Sequence, residues 1–374
     1  MTLAVEADDL HSYARLVRRA GEDCGNGLTY LDKSTSIGFS VSGEAWNLVI
    51  GDHAEKVRQA TDVLSRFGVI LRGSEKELRK SASWYRTVDL GRARALDATY
   101  PGAGATRPVV RPRPHGGADF GDVRDASGRL VSGGGGDSWV SGHARELAFA
   151  PVNKGVGSLL DLGSISALAN EGLKYAFDFD VLGTVANWLV GDWQEYSDCA
   201  DAWNCLGNMC ADAAENLRHG NEVLGLSWRG NAADAAWMYF DRTAAKFDTA
   251  RDAFHSLRDD YVGVAEIVFS FADFVKGAVA RLCDEAVEAA IAAAASAAVA
   301  VSGVGILGSF VGAAIAAERV AAMVKTYGEL VDRYESLLLA LTAALGVAGI
   351  ATVTLCNELK RFPVIGGSYD NKLV

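Results

Sequence analysis

Ser227-Trp228-Arg229-Gly230-Asn231 is a short polar turn set between two long segments of helical periodicity. C-terminal to it, apolar residues recur at alternating steps of three and four, from Ala236 through Phe240, Phe247, Phe254 and Tyr261 to Val275. A seam sustained over about five heptads predicts a helix packed lengthwise on a partner, not a short amphipathic accident. N-terminal to the turn, Cys199, Ala202, Leu206, Cys210, Ala213, Leu217 and Leu224 form a second, somewhat degraded stripe. The two stripes and the turn predict an antiparallel helical hairpin, with Gly230 relieving strain where the chain reverses and Asn231 as the helix N-cap. Trp228 then sits at the hairpin tip, where its amphipathic ring either plugs the end of a bundle or offers a docking surface.

The N-terminal residues repeat this construction. Leu10, Tyr13, Val17, Cys24, Leu28 and Leu31 lie on one face of a first helix. A break from Ser34 to Gly43 follows, with Ser42 a candidate N-cap, and then a seam runs from Val57 through Leu64, Phe67, Leu71 and Leu78 to Tyr85 and Val88. A two-helix hairpin cannot bury its own apolar stripe, so the expected fold is all-α, two antiparallel hairpins packed as an elongated four-helix bundle with crossings of ~20°. Packed antiparallel, the hairpins bring the Tyr85 end of one beside the Trp228 turn of the other.

Composition divides the rest. Residues 1–97 form the first hairpin and 98–142 a linker, with four prolines from Pro101 to Pro114 and a tetraglycine at Gly133–Gly136, expected to be a solvated spacer. Residues 143–285 hold short helices and the Trp228 hairpin, 286–361 a hydrophobic helical pair, and 362–374 a tail. Ala289 to Ala317 and Ser336 to Asn357 contain no charged residue. Each run exceeds the roughly 20 residues that cross a bilayer core, so the pair is expected either to insert as a membrane hairpin or to form a buried helical layer. Gly308-x-x-x-Gly312 suits close helix contact in either solvent.

Several functions are disfavoured. A net charge of -11 leaves no basic surplus for phosphates, so nucleic acid is not an expected partner. The first ten residues carry neither a basic nor an apolar signal-peptide region. The six cysteines have neither zinc nor redox spacing and are expected as buried thiols. The six histidines are scattered, and Gly303-Val-Gly305-Ile-Leu-Gly308 lies in an alanine-rich run without the strand that a dinucleotide site requires. No residues combine as nucleophile, base and oxyanion donor, so neither catalysis nor a cofactor is expected.

Two short motifs remain. Tyr85 is the only tyrosine followed four residues later by an acid, Asp89, and Trp228-Arg-Gly230 is the only Trp-x-Gly. About one match to each is expected by chance in this composition, so position and not occurrence gives them meaning. At these residues the chain resembles substrates of the actinobacterial type VII (ESX) secretion system. Leu10, Tyr13-Ala14, Tyr30, His53, Ser74–Leu78 and Ala82–Asp89 resemble the EspC-like hairpins. Leu226–Ala233 resembles the WXG hairpin family and the matching part of EspA-like and EspB-like proteins, and the Ala/Gly-rich region resembles EspA-like proteins more loosely. The resemblance implies that Tyr85 and Asp89 form an export signal completed in space by the Trp228/Gly230 turn, both halves lying in one polypeptide as in EspB-like proteins. The six cysteines depart from that pattern. Implied partners are the secretion ATPase or its chaperone, co-secreted Esp-like proteins and a second copy of the chain, with membrane lipid added by the hydrophobic helices. The expected location is outside the cytoplasm or at the envelope. Competing expectations are a membrane-permeabilising effector and a resident membrane protein.

Overall fold

The computed structural model describes residues 4–37, 43–88, 90–99, 120–131, 167–191, 193–301 and 306–364. The fold is all-α, and no strand occurs among the described residues. Helices α1 (Ala7–Ser34) and α2 (Glu44–Thr87) form the first hairpin, followed by the short α3 (Leu90–Asp97). A 3-10 turn, Ser127–Arg129, precedes α4 (Ala167–Ala176) and α5 (Val181–Leu189). The second hairpin is α6 (Trp193–Ser227) and α7 (Asn231–Val301), and α8 (Ile306–Val347) and α9 (Ile350–Arg361) follow.

The α7 seam from Ala236 to Val275 is buried along its whole length, as is the α6 stripe from Cys199 to Leu224. The two hairpins share one core. Phe67 of α2 stacks on Phe247 of α7 with ring centroids 3.9 Å apart, and Tyr13 of α1 meets Phe240 edge-on at 4.9 Å. The Tyr13 hydroxyl also donates to the Leu217 carbonyl of α6 at 3.3 Å. Buried aromatic pairs of this kind fix the register between helices because each ring fits only one gap.

Helix α7 is 71 residues long, ~105 Å, against 35 residues, ~53 Å, for α6. Its C-terminal half therefore runs past the shared core, where α8 and α4 cover it, while α9 lies on α2 and α7. Arg66 of α2 holds α9 by donating to the Leu359 carbonyl at 3.0 Å. At the start of the expected tail, the Pro363 carbonyl accepts from the Tyr239 hydroxyl at 3.1 Å.

Four expectations need correction. The uncharged run 289–317 is not one helix: residues 289–301 end α7 and 306–317 begin α8, and the two helices pack against each other. The second run is broken at Gly349, whose φ of +72° lies in the left-handed region and whose missing side chain leaves room for Lys56. No break marks the 285/286 boundary, which α7 crosses. Last, residues 120–131 of the expected spacer are docked across α1 and α6. Arg19 forks onto Asp122 and the Phe120 carbonyl, the Asn216 side chain accepts from Val123 N–H and Arg124 N–H at 2.9 Å each, and Phe120 and Ala126 are buried. Ser42 lies outside the described residues, and Gly43 occupies the α2 N-cap.

Candidate functional site

The structure brings the Tyr85 end of α2 beside the Trp228 turn, and the meeting follows from register. Helices α2 and α7 run antiparallel, with Ser74 Oγ 3.2 Å from the Tyr239 hydroxyl and His53 Nδ1 2.7 Å from the Tyr261 hydroxyl. Eleven residues on from Ser74 is Tyr85, and eleven back from Tyr239 is Trp228. The two rings meet edge-to-face, centroids 6.3 Å apart at 73°. Trp84 packs edge-on against Tyr85 at 5.1 Å.

The Trp228 turn is fixed by three further contacts. Trp228 N–H donates to the Leu224 carbonyl at 2.9 Å, closing α6. Arg229 pairs with Ala4 in an isolated antiparallel bridge, Arg229 N–H to the Ala4 carbonyl at 2.8 Å and Ala4 N–H to the Arg229 carbonyl at 3.2 Å. Gly230 has φ +133°, and a Cβ there would stand 2.7 Å from Asp97 Oδ1. Glycine is required at that position on both counts.

Asp97, at the end of α3, is the residue sequence reasoning missed. Its carboxylate accepts from Asn231 N–H at 3.1 Å and Ala232 N–H at 3.0 Å, and its carbonyl accepts from the Asn231 side-chain amide at 3.1 Å. Asn231 is therefore not the N-cap of α7. The cap comes from 134 residues away in sequence, because the exposed N–H groups and positive dipole end of a long helix take whichever carboxylate the fold delivers. The short apolar spacing of Leu90–Asp97 gave no sign of that role.

Trp228 is 3% exposed, so it plugs the bundle end and is not itself a docking surface. The outer face of the tip is made by half-buried Trp84 and Tyr85 with the exposed Arg86 and Arg229. Arg86 is ion-paired to Asp8 of α1. Burial raises the Tyr85 phenol above its usual pKa, with the Asp97 charge acting in the same direction and the polar contact with Trp228 in the opposite one. The phenol is thus a neutral group at physiological pH, available for hydrogen bonding and stacking.

Asp89 lies outside the described residues. Gly312 sits near the other end of α7, where an added Cβ would lie 3.0 Å from the Ala292 carbonyl and 3.1 Å from Ser296 Cβ, the close helix approach expected of it. Gly308 is in the first turn of the same helix, α8. Among the described residues, no group of three or more His, Cys, Asp or Glu is arranged to hold a metal. Buried His53 lies between the Tyr261 hydroxyl and the Thr35 carbonyl, a structural bridge within the core. Comparison with protein-family models, curated proteins and solved structures finds no match to this chain.

Proposed function

We propose that this chain is a substrate of a type VII (ESX) secretion system, exported as a folded helical protein and acting by contacts with other proteins. The observation that carries this reading is the Tyr85–Trp228 contact at 6.3 Å. The resemblance requires a tyrosine at the end of one hairpin to meet a Trp-x-Gly turn from another, and these residues are far apart in sequence. A secretion ATPase or chaperone reads the tip by shape, through the half-buried Trp84 and Tyr85 rings and the flanking Arg86 and Arg229. Trp228, Gly230 and Asp97 hold that face rigid, so recognition costs little ordering entropy. Tyr85 and Asp89 supply the signal, and co-secreted Esp-like proteins or a second copy are the partners after export.

The test is secretion of Tyr85→Ala and Asp89→Ala beside wild type from a host carrying such a system, with circular dichroism of the purified variants. Each variant is expected in the cell lysate and depleted from culture filtrate while keeping its helical content. Unchanged export of both folded variants rejects the proposal.

A further inference from the structure

Helix α8 carries a second face that the described chain leaves uncovered. Ala316, Met323, Leu330, Tyr334, Leu337 and Leu341 recur at steps of three, four and seven, and they are buried where α8 packs along α7. Two residues on, about 200° round the helix, another line runs at the same spacing. It begins with Val311 and Ile315, passes through Lys325 and Glu329, and ends with Leu339 and Ala343, all exposed. Val311 is 60% exposed, Ile315 42% and Leu339 72%. Exposed Ala314, Ala321 and Gly328 flank the line seven residues apart, and a Cβ on Gly328 would meet nothing within 4 Å.

From this pattern we infer that the outer face of α8 is a self-association surface, on which a second copy packs antiparallel about a two-fold axis level with Tyr327. The line is complementary to itself in that register. Lys325 faces the partner's Glu329, Ile315 the partner's Leu339 and Val311 the partner's Ala343, and the two-fold makes each contact twice. Glu318 meets the partner's Ser336 and Asp332 the partner's Ala322, so no like charges oppose. Sliding by one heptad sets Glu329 against the partner's Asp332 in one direction and Glu318 against the partner's Glu329 in the other, which excludes the neighbouring registers. The small flanking residues let the two helix axes approach to ~8 Å. Lipid is the poorer occupant, because Glu318, Lys325, Glu329 and Asp332 lie between the apolar ends and hydrocarbon does not take them. From Val311 to Ala343 the face is ~50 Å long, and at a width of ~10 Å two copies bury about 1,000 Å² together, the lower bound for a specific interface. The inference holds whether or not the chain is exported.

The experiment is sedimentation equilibrium of the full-length protein. Wild type is expected as a monomer–dimer equilibrium with a dissociation constant on the order of micromolar, as suits an interface of this size. Lys325→Glu and Glu329→Lys, each folded by circular dichroism, turn both central contacts repulsive and are expected to weaken dimerisation at least about tenfold. An equimolar mixture of the two variants restores opposite charges at both contacts and is expected to associate at least as tightly as wild type. Leu339→Asp is expected to weaken dimerisation at least about tenfold, and Val353→Asp, at a 40% exposed position on α9, to leave it unchanged. A folded wild type that stays monomeric at concentrations about a hundredfold above micromolar overturns the inference. So does dimerisation insensitive to Lys325→Glu, failure of the mixed variants to associate, or equal loss with Val353→Asp. Flotation of folded wild type with phosphatidylcholine vesicles, lost in Leu339→Asp and without self-association, assigns the face to lipid and overturns it as well.

Discussion

Removing the Asp97 carboxylate tests whether the Trp228 turn is held from outside its own hairpin. The first N–H groups of a helix have no intrahelical acceptor, and here Asn231 N–H and Ala232 N–H both reach Asp97, at 3.1 and 3.0 Å. Capping substitutions cost about 1 kcal/mol and up to ~2. Loss of the negative charge at the dipole end adds about 0.3–1 kcal/mol. Asp97 is 9% exposed, so water reaches the vacated donors only in part. Asp97→Ala is therefore expected to destabilise the fold by about 2 kcal/mol, and Asp97→Asn, which keeps one acceptor oxygen, by about 1. Urea unfolding followed by circular dichroism measures the total. Native-state amide exchange locates it: protection at Asn231 and Ala232 should fall about tenfold or more in Asp97→Ala, at ~1.4 kcal/mol per decade, while Phe247, four turns into the helix, keeps its protection at the level the global stability allows. Unchanged exchange at Ala232 together with a stability change below ~0.5 kcal/mol would refute the assignment of Asp97 as the cap.

The docked segment 120–131 depends on Asn216, whose amide accepts from two backbone N–H groups and donates to the Arg124 carbonyl at 2.9 Å. Asn216→Ala is expected to raise the rate of proteolysis within this segment at least about fivefold with the helical core intact, from the loss of hydrogen bonds worth about 1 kcal/mol each; an unchanged cleavage rate counts against the docking. Acid stability follows from His53. Its Nε2–H donates to the Thr35 carbonyl at 2.8 Å and its Nδ1 accepts from the Tyr261 hydroxyl, so the folded state holds the neutral ring, and burial lowers its pKa from 6.5. The unfolded state then binds the proton first, and stability should begin to fall as pH drops below 6.5, at no more than about 1.4 kcal/mol per pH unit from this group, levelling off below its folded pKa. Burial raises the Asp52 and Asp260 carboxyls, which adds stability as pH falls through their folded pKa values and so opposes this trend. His53→Gln, measured by urea unfolding from pH 7.5 to 5, should remove the His53 part of the slope; an identical slope refutes the neutral-ring assignment.

What the sequence revealed and what it hid divide along a physical line. Periodicity is a local property, and every residue placed on the α6 and α7 stripes is buried, because a helix that repeats apolar residues at three and four has one face to hide and water enforces the choice. The Tyr85–Trp228 meeting was also within reach, since two hairpins of similar construction packed antiparallel bring those ends together without any fitted contact. Asp97 was out of reach because capping has no periodicity. One carboxylate among 47 acidic residues does the work, and only the path of the intervening chain decides which. The docked segment failed for the opposite reason. Proline and glycine around it read as a spacer, whereas Phe120, Asp122 and Arg129 hold it through single side-chain contacts that leave no repeating trace. The uncharged run 289–317 was long enough to cross a bilayer as a straight helix, but length measures reach only if the helix does not turn. With α7 ending at Val301 and α8 beginning at Ile306, neither helix carries as many as half the residues of the run, so neither has the reach that the uncharged length promised.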